Sequence, residues 1–282
     1  MQNLREEIES QWSRLLERHS FWDEWAATSP ESYRVLSESL RVPGKRLRPM
    51  LFCLACQAFG RDPRPGLMPA AMALELVHHF ILVHDDLLDR SEIRRGAPAL
   101  FRRMDALLDG ECGGFRGTDL ALVSGDLLYT LAMDSLLRTQ APPERLAAAM
   151  EEFMRAALDT GRGALMEIRA AQLPMEDLDV QAVESMYAAK TGSYSFALPV
   201  RMAFGLCEGE GLFPFDRFGK HAGIAYQLKN DCDGLGQWLN GGRVPDDLRD
   251  RRRIWGVVHA WQAADEDGRA LLAAEPGDSL RE

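Results

Sequence analysis

The 282-residue chain is poor in the features that would give it a disulfide scaffold, a sheet or a membrane anchor. Its five cysteines, at positions 53, 56, 112, 207 and 232, form no disulfide-like framework. Cys53 and Cys56 make a CxxC with no second pair. They lie in the apolar run 51–59, which reads as buried packing rather than as a zinc or redox site. No secretory signal opens the chain, and no apolar stretch reaches membrane-spanning length without a charge. The expectation is therefore a soluble cytoplasmic protein without stable membrane insertion. Basic residues are in deficit, 33 Lys and Arg against 43 Asp and Glu, and the net charge of −10 argues against nucleic acid as the main partner. Local arginine clusters still leave room for a phosphorylated ligand. Strand-like alternation and repeats of solenoid period are absent as well.

What is present is helical periodicity, with 46% hydrophobic residues to fill a core. Helices are predicted over 2–18, 30–40, 49–60, 67–89, 97–108, 118–137, 143–171, 179–204, 213–239 and 246–264. Pro and Gly mark the breaks, among them Pro30, Pro43-Gly44, Pro142-Pro143, Pro174 and Gly241-Gly242. These imply a single all-α domain over 1–282, a helical bundle whose long central helices line a deep cavity. N-terminal helices occupy 1–43, and a short, partly disordered tail occupies 265–282 and is frayed after Ala274.

Asp85-Asp86-Leu87-Leu88-Asp89, followed by Arg94-Arg95-Gly96, carries the most chemical information. On a helix Asp85 and Asp89 share a face about 6 Å apart along the axis, with Asp86 to the side. Two hard carboxylates suit Mg²⁺, which prefers a few carboxylates completed by water and substrate phosphate. Guanidinium forks match phosphate oxygens. The acids end the apolar segment 74–88, and carboxylates there are costly unless paired or metal-bound. The site reads as one for a diphosphate delivered with magnesium.

Other segments add polar groups. In Pro43-Gly44-Lys45-Arg46-Leu47-Arg48-Pro49, basic groups precede a helix, and Lys45 and Arg48, three apart, are expected to point the same way. His78 precedes Asp85 by about two helical turns and projects toward the same wall. Lys190-Thr191-Gly192 interrupts a helical run, and a helical Gly costs about 1 kcal/mol relative to Ala, so a kink that frees a carbonyl is expected there. Gln227 and Asp231 share a helix face at i, i+4 and supply a second polar wall.

Taken together, GKRLRP (44–49), ELVHHFILVHDDLLDRSEIRRGAP (75–98), GDLLYTLA (125–132), KTGSY (190–194) and GIAYQLKND (223–231) resemble, in family order, the trans-type isoprenyl diphosphate synthases of the polyprenyl synthetase family. The resemblance implies an all-α prenyltransferase fold, usually a homodimer. It also implies head-to-tail condensation of isopentenyl diphosphate with an allylic diphosphate. By that resemblance Asp85 and Asp89 would ligate Mg²⁺ bridging the allylic diphosphate, with Asp86 in support, and Arg94 and Lys190 would hold the same diphosphate. Lys45, Arg48, His78 and Arg95 would bind isopentenyl diphosphate. Thr191, Gln227 and the Lys190 carbonyl would stabilise the allylic cation.

The chain departs from the family pattern in the second acidic motif, where Asn230, Asp231, Cys232, Asp233 and Gly234 stand for DDxxD. Asn230 offers a neutral oxygen where a carboxylate would reach a third Mg²⁺, so Asn230 and Asp231 make a weaker metal site. Gly242-Arg243 and the segment 247–252 carry arginine in place of lysine. The usual GQxxD reads Gly163-Ala164-Leu165-Met166-Glu167. Ile81 and Phe80 lie four and five residues before Asp85, where family members face the growing chain. A bulky Phe80 implies a short product of C15 to C20, farnesyl or geranylgeranyl diphosphate. The alternatives are a terpene cyclase or divergent prenyltransferase on the same scaffold, or a non-catalytic regulatory subunit.

Overall fold

The computed structural model describes residues 2–64, 66–94, 96–108, 113–209, 211, 213–241 and 244–273. The chain order is α1 (Gln2–Arg18), α2 (Ser20–Thr28), α3 (Pro30–Arg41), α4 (Leu47–Ala58) and α5 (Met68–Asp89). A two-residue hairpin follows, β1 (Ile93–Arg94) paired antiparallel with β2 (Ala97–Pro98). Then come α6 (Leu100–Asp105), α7 (Gly117–Leu137), α8 (Pro143–Gln172), a 3₁₀ turn (Met175–Asp177) and α9 (Val180–Tyr187). A π-helical segment (Ala188–Ala197) leads into α10 (Leu198–Leu206), followed by α11 (Phe215–Leu239), α12 (Asp246–Arg249), α13 (Trp255–Ala263) and α14 (Glu266–Ala273).

Two compact units divide the chain: Met1–Met150 with Met202–Glu210, and Glu151–Arg201 with Gly211–Glu282. In the first, α5 is apolar on nearly every side. Met68, Ala70, Ala71, Met72, Ala73, Leu74, Leu76 and Val77 are all buried, as expected of a central core helix. Pro69 sits in its first turn, where a missing N–H costs nothing, and its carbonyl accepts a 2.9 Å hydrogen bond from Ser135 Oγ of α7. α7 runs against α5 through Ala121, Leu128, Leu131, Ala132 and Leu136. Gly125 is a glycine for lack of space, since a Cβ there would meet His84 Nδ1 at 2.7 Å. By length and composition α7 is the one described helix able to cross a membrane, although its packing against α5 is equally that of a core element.

In the second unit, Leu178, Val183, Met186, Tyr187, Ile224 and Val258 form a core where α9, α11 and α13 meet. Asp179 caps α9 by accepting the Ala182 N–H at 2.7 Å. The π-helical segment lies against α11 with almost no room between backbones. A Cβ on Gly192 would stand 2.5 Å from the Gly219 carbonyl, and one on Gly223 would strike the Gly192 Cα.

Several expectations need correction. α2 was not anticipated; it forms because the His19 ring accepts the Phe21 N–H at 3.2 Å and Trp22 and Trp25 are buried. The helix expected over 97–108 shrinks to α6, because Ala97 and Pro98 pair with β1. The single helix expected over 179–204 is three pieces, with a π-helical insertion where a kink was expected. The helix expected over 246–264 is broken into α12 and α13, and Glu266–Ala273 is helical. α4 begins at Leu47, two residues before Pro49. The tail after Ala274, and Cys112, Gly242 and Arg243, lie outside the described residues.

Candidate active site

In the first unit the site is built on the last three turns of α5. His78, Ile81, Leu82, Asp85 and Asp89 are each partly open on a helix whose earlier residues are buried, and they follow one stripe at three- and four-residue spacing. Asp86, next to them, is buried. Its side chain is 6% exposed and accepts the Arg94 Nε–H at 2.7 Å, with a second, shorter contact to Arg94 Nη2. Arg94 also lies 3.6 Å from Asp85 Oδ2. Burial holds the Asp86 carboxyl above its ordinary range, Arg94 pulls it back down, and the charge on Asp85 pushes it up again. Asp86 is thus the buried anchor that fixes Arg94 beside the more open pair, Asp85 and Asp89. Arg95 lies outside the described residues.

That open pair fits a divalent ion of the magnesium type. Among the described residues no group of three or more His, Cys, Asp or Glu side chains is gathered to enclose a metal. An ion here would take its other ligands from water and phosphate, the coordination that Mg²⁺ favours.

The two basic residues expected to point together differ in exposure. Lys45 is exposed, whereas Arg48 is 6% exposed and lies within the first turn of α4. Between them Arg46 is buried in left-handed backbone at φ 48°. Its Nη1 donates to Glu75 Oε1 at 2.8 Å and its Nε donates to Glu9 Oε1 at 3.1 Å, and its guanidinium lies 4.9 Å over the Trp12 ring. Trp12 in turn stacks on His79 at 5.4 Å, next to His78. Sequence reasoning assigned no role to Glu9, Glu75 or Arg46. The available signal was a glutamate in the middle of an apolar helix, which demands a buried cation. Phe80 packs against His84 at 4.5 Å and Tyr129 of α7 at 5.1 Å between ring centroids.

In the second unit Lys190 opens into the π-helical segment, and its Nζ donates to Glu167 Oε2 at 2.6 Å. The other oxygen of Glu167 accepts Arg252 Nη1 at 3.2 Å, and Arg252 Nε lies 3.5 Å from Asp247. The altered GQxxD therefore keeps the acid that matters to Lys190, and it gathers two cations on one carboxylate. A Cβ on Gly163, the first residue of that motif, would collide with the Lys190 backbone, so the glycine is what lets α8 approach. Thr191 is buried.

On α11, Gln227 Oε1 accepts Asn230 Nδ2 at 3.1 Å, while Asp231 Oδ2 accepts the Tyr187 hydroxyl at 2.6 Å. Burial raises the Asp231 carboxyl to about 6, against the Tyr187 hydrogen bond that lowers it and with Asp247 adding to the rise. The Tyr187 hydroxyl is pushed up, first by burial and then by Asp231. Asp233 pairs with Lys229 four residues before it. A carboxylate committed to a phenol, a neutral amide and a lysine-paired acid fit a metal poorly.

The fold has counterparts among solved structures. The geranylgeranyl pyrophosphate synthase of Corynebacterium glutamicum, solved with isoprenyl diphosphate and magnesium, superposes with TM-score 0.78 at 23% identity, over 98% of this chain and 83% of that one. The fold is therefore the all-α isoprenoid synthase fold. The chain belongs to the polyprenyl synthetase family, whose profile matches residues 29–278. A geranylgeranyl pyrophosphate synthase of Geoglobus acetivorans is 29% identical over 234 residues, 82% of this chain and 68% of the relative. A (2E,6E)-farnesyl diphosphate synthase of Mycobacterium bovis is 32% identical over 245 residues, and the match spans 82% of this chain but only 60% of that protein's length.

Proposed function

We propose that the protein is a short-chain prenyl diphosphate synthase that condenses isopentenyl diphosphate head-to-tail with an allylic diphosphate, with Mg²⁺, to a C15–C20 product. The observation that carries this reading is the end of α5. There Asp85 and Asp89 stand open on one stripe, and Asp86 is withdrawn to hold Arg94 beside them. Relatives named as geranylgeranyl and farnesyl diphosphate synthases support the substrate class, and the magnesium and isoprenyl diphosphate in complex with the Corynebacterium glutamicum synthase support the cofactor.

Bound there, Mg²⁺ would neutralise charge on the departing diphosphate. Asp85 and Asp89 would hold that ion, and Arg94, already oriented by Asp86, adds a fixed donor at no reorganisation cost. Lys45, Arg48, Arg95 and His78 bind the second diphosphate. Arg46 sets the loop that carries Lys45 and leads into the first turn of α4, where Arg48 lies, through its buried contacts to Glu9 and Glu75. Lys190 binds diphosphate once it exchanges Glu167 for phosphate oxygens, while Thr191 and Gln227 face developing positive charge with neutral oxygens. The released diphosphate accepts the proton, so no side-chain base is required. Leu122, Val123 and Leu137 are exposed on α7, at 46%, 56% and 60%, and they support a homodimer.

The test incubates purified protein with Mg²⁺, isopentenyl diphosphate and each allylic diphosphate in turn, followed by mass analysis of products. Longer prenyl diphosphates, lost in Asp85→Asn by at least about a hundredfold, are expected. Hydrocarbons or alcohols formed without isopentenyl diphosphate would replace this reading with a cyclase. Turnover only beside a second chain would replace it with a regulatory subunit.

A further inference from the structure

Tyr187, Asp231 and Trp255 are 44 and 68 residues apart in pairs along the chain, yet one hydroxyl joins them. The Tyr187 hydroxyl donates to Asp231 Oδ2 at 2.6 Å and accepts the backbone N–H of Trp255 at 3.1 Å. That uses its proton and one of its lone pairs. Trp255 is the first residue of α13, where backbone N–H groups have no acceptor inside the helix, and the N-cap residue Ile254 supplies no side-chain bond. Tyr187 therefore performs the capping from another helix. The indole of Trp255 adds a second tie, donating to Glu184 Oε1 at 3.3 Å, three residues before Tyr187 on α9. The Tyr187 ring is 3% exposed in the core cluster with Val183, Ile224 and Val258, so the hydroxyl has little freedom to turn elsewhere.

We propose that Tyr187 is a positioning residue that commits Asp231 to a latch between α9, α11 and α13, so that Asp231 holds the start of α13 and leaves metal ligation to Asp85 and Asp89. The proposal rests on the reading of Asp85 and Asp89 given above. Its physical basis is that one oxygen of Asp231 is already held by a buried phenol proton, so swinging the carboxylate round to a cation would strand that proton. The rest of the motif does not offset that loss. Asn230 is a neutral amide donating to Gln227, Asp233 is paired with Lys229, and residue 234 is a glycine. A carboxylate that has lost its neighbouring acid has thus taken a structural role.

The test has two arms, both on the full chain. Hydrogen exchange at the Trp255 amide, in metal-free buffer, should quicken by about tenfold or more in Tyr187→Phe and in Asp231→Ala, whose methyl cannot accept the phenol proton, and stay unchanged in Asp85→Asn. Mn²⁺ binding, followed by electron paramagnetic resonance with inorganic pyrophosphate as the probe, should weaken by about 10–100-fold in Asp85→Asn and by less than about twofold in Asp231→Asn. Unchanged exchange in Tyr187→Phe overturns the latch, and loss of Mn²⁺ in Asp231→Asn equal to that in Asp85→Asn overturns the claim that Asp231 is no ligand. If the wild-type protein bound no Mn²⁺ with pyrophosphate, the reading of Asp85 and Asp89 would fall, and the exchange arm alone would accept or reject the latch.

Discussion

Arg46 is a charge the first unit cannot leave unpaired. Its side chain is 1% exposed and that of Glu75 is 3% exposed, so each is the other's main compensation for lost water. Arg46→Met should lower stability by about 3–5 kcal/mol, because Glu75 stays buried with only the His79 ring, at 3.8 Å, left beside it. Adding Glu75→Leu should restore most of it, since a well-packed apolar pair often equals a buried ion pair. Urea unfolding of the two variants and their combination checks this, and equal losses in all three would refute it. Asp231 makes a different prediction. Its carboxyl is raised from 3.8 to about 6 in the folded protein, so the native state keeps a proton that the unfolded chain releases. The stability this contributes is full below the unfolded value and is lost as pH rises through about 6. In EDTA, the wild-type urea midpoint should therefore fall relative to that of Asp231→Asn as pH rises over this interval. A difference independent of pH would contradict the assignment.

Helix packing decides which glycines can change. Gly192 and Gly223 let the π-helical segment and α11 touch backbone to backbone, and a Cβ on either meets main-chain atoms that cannot turn aside. Gly192→Ala or Gly223→Ala should cost about 1–3 kcal/mol or more by overpacking. Gly161, in α8 with open space around the same hypothetical carbon, should instead gain about 0.5–1 kcal/mol on change to Ala. Thermal unfolding of the three variants separates the cases, and a shared sign would defeat the packing argument. The same residues show what the sequence could convey about elements. The sequence located α1, α5, α7, α8 and α11 to within two residues at either end, because each is a long helical run, most of them bounded by Pro or Gly breaks. It also flagged an interruption at Gly192. It could not show why a glycine is needed there, because the backbones it approaches are at Gly219 and Gly223, 27 and 31 positions away, and pairs that remote leave no local pattern. The Tyr187–Asp231 bond was hidden for the same reason. The Asp85–Asp89 pair was legible because helical spacing alone sets it.

For the molecule as a whole, the family profile begins at residue 29, beyond α1, yet α1 supplies the Glu9 and Trp12 that hold Arg46. Motifs therefore identify the chemistry more completely than they identify the supports on which it stands. Product length is where the supports matter most. The sequence singled out Phe80 as the stop for a growing chain. In the folded protein Phe80 does not stand alone: its ring lies 4.5 Å from that of His84 and 5.1 Å from that of Tyr129 on the neighbouring α7, as centroid distances. Removing one ring from such a group leaves the others to relax into part of the space, as partial collapse around core truncations does elsewhere. Phe80→Ala alone should then lengthen the product by about one isoprene unit at most, while Phe80→Ala with Tyr129→Ala should lengthen it by about two or more, roughly in step with the volume opened. Mass analysis of the released diphosphates at saturating isopentenyl diphosphate reads the result directly. If the double variant turned over at a measurable rate and still stopped at the wild-type length, the aromatic group between α5 and α7 would be packing only, and the stop would have to be set by other side chains.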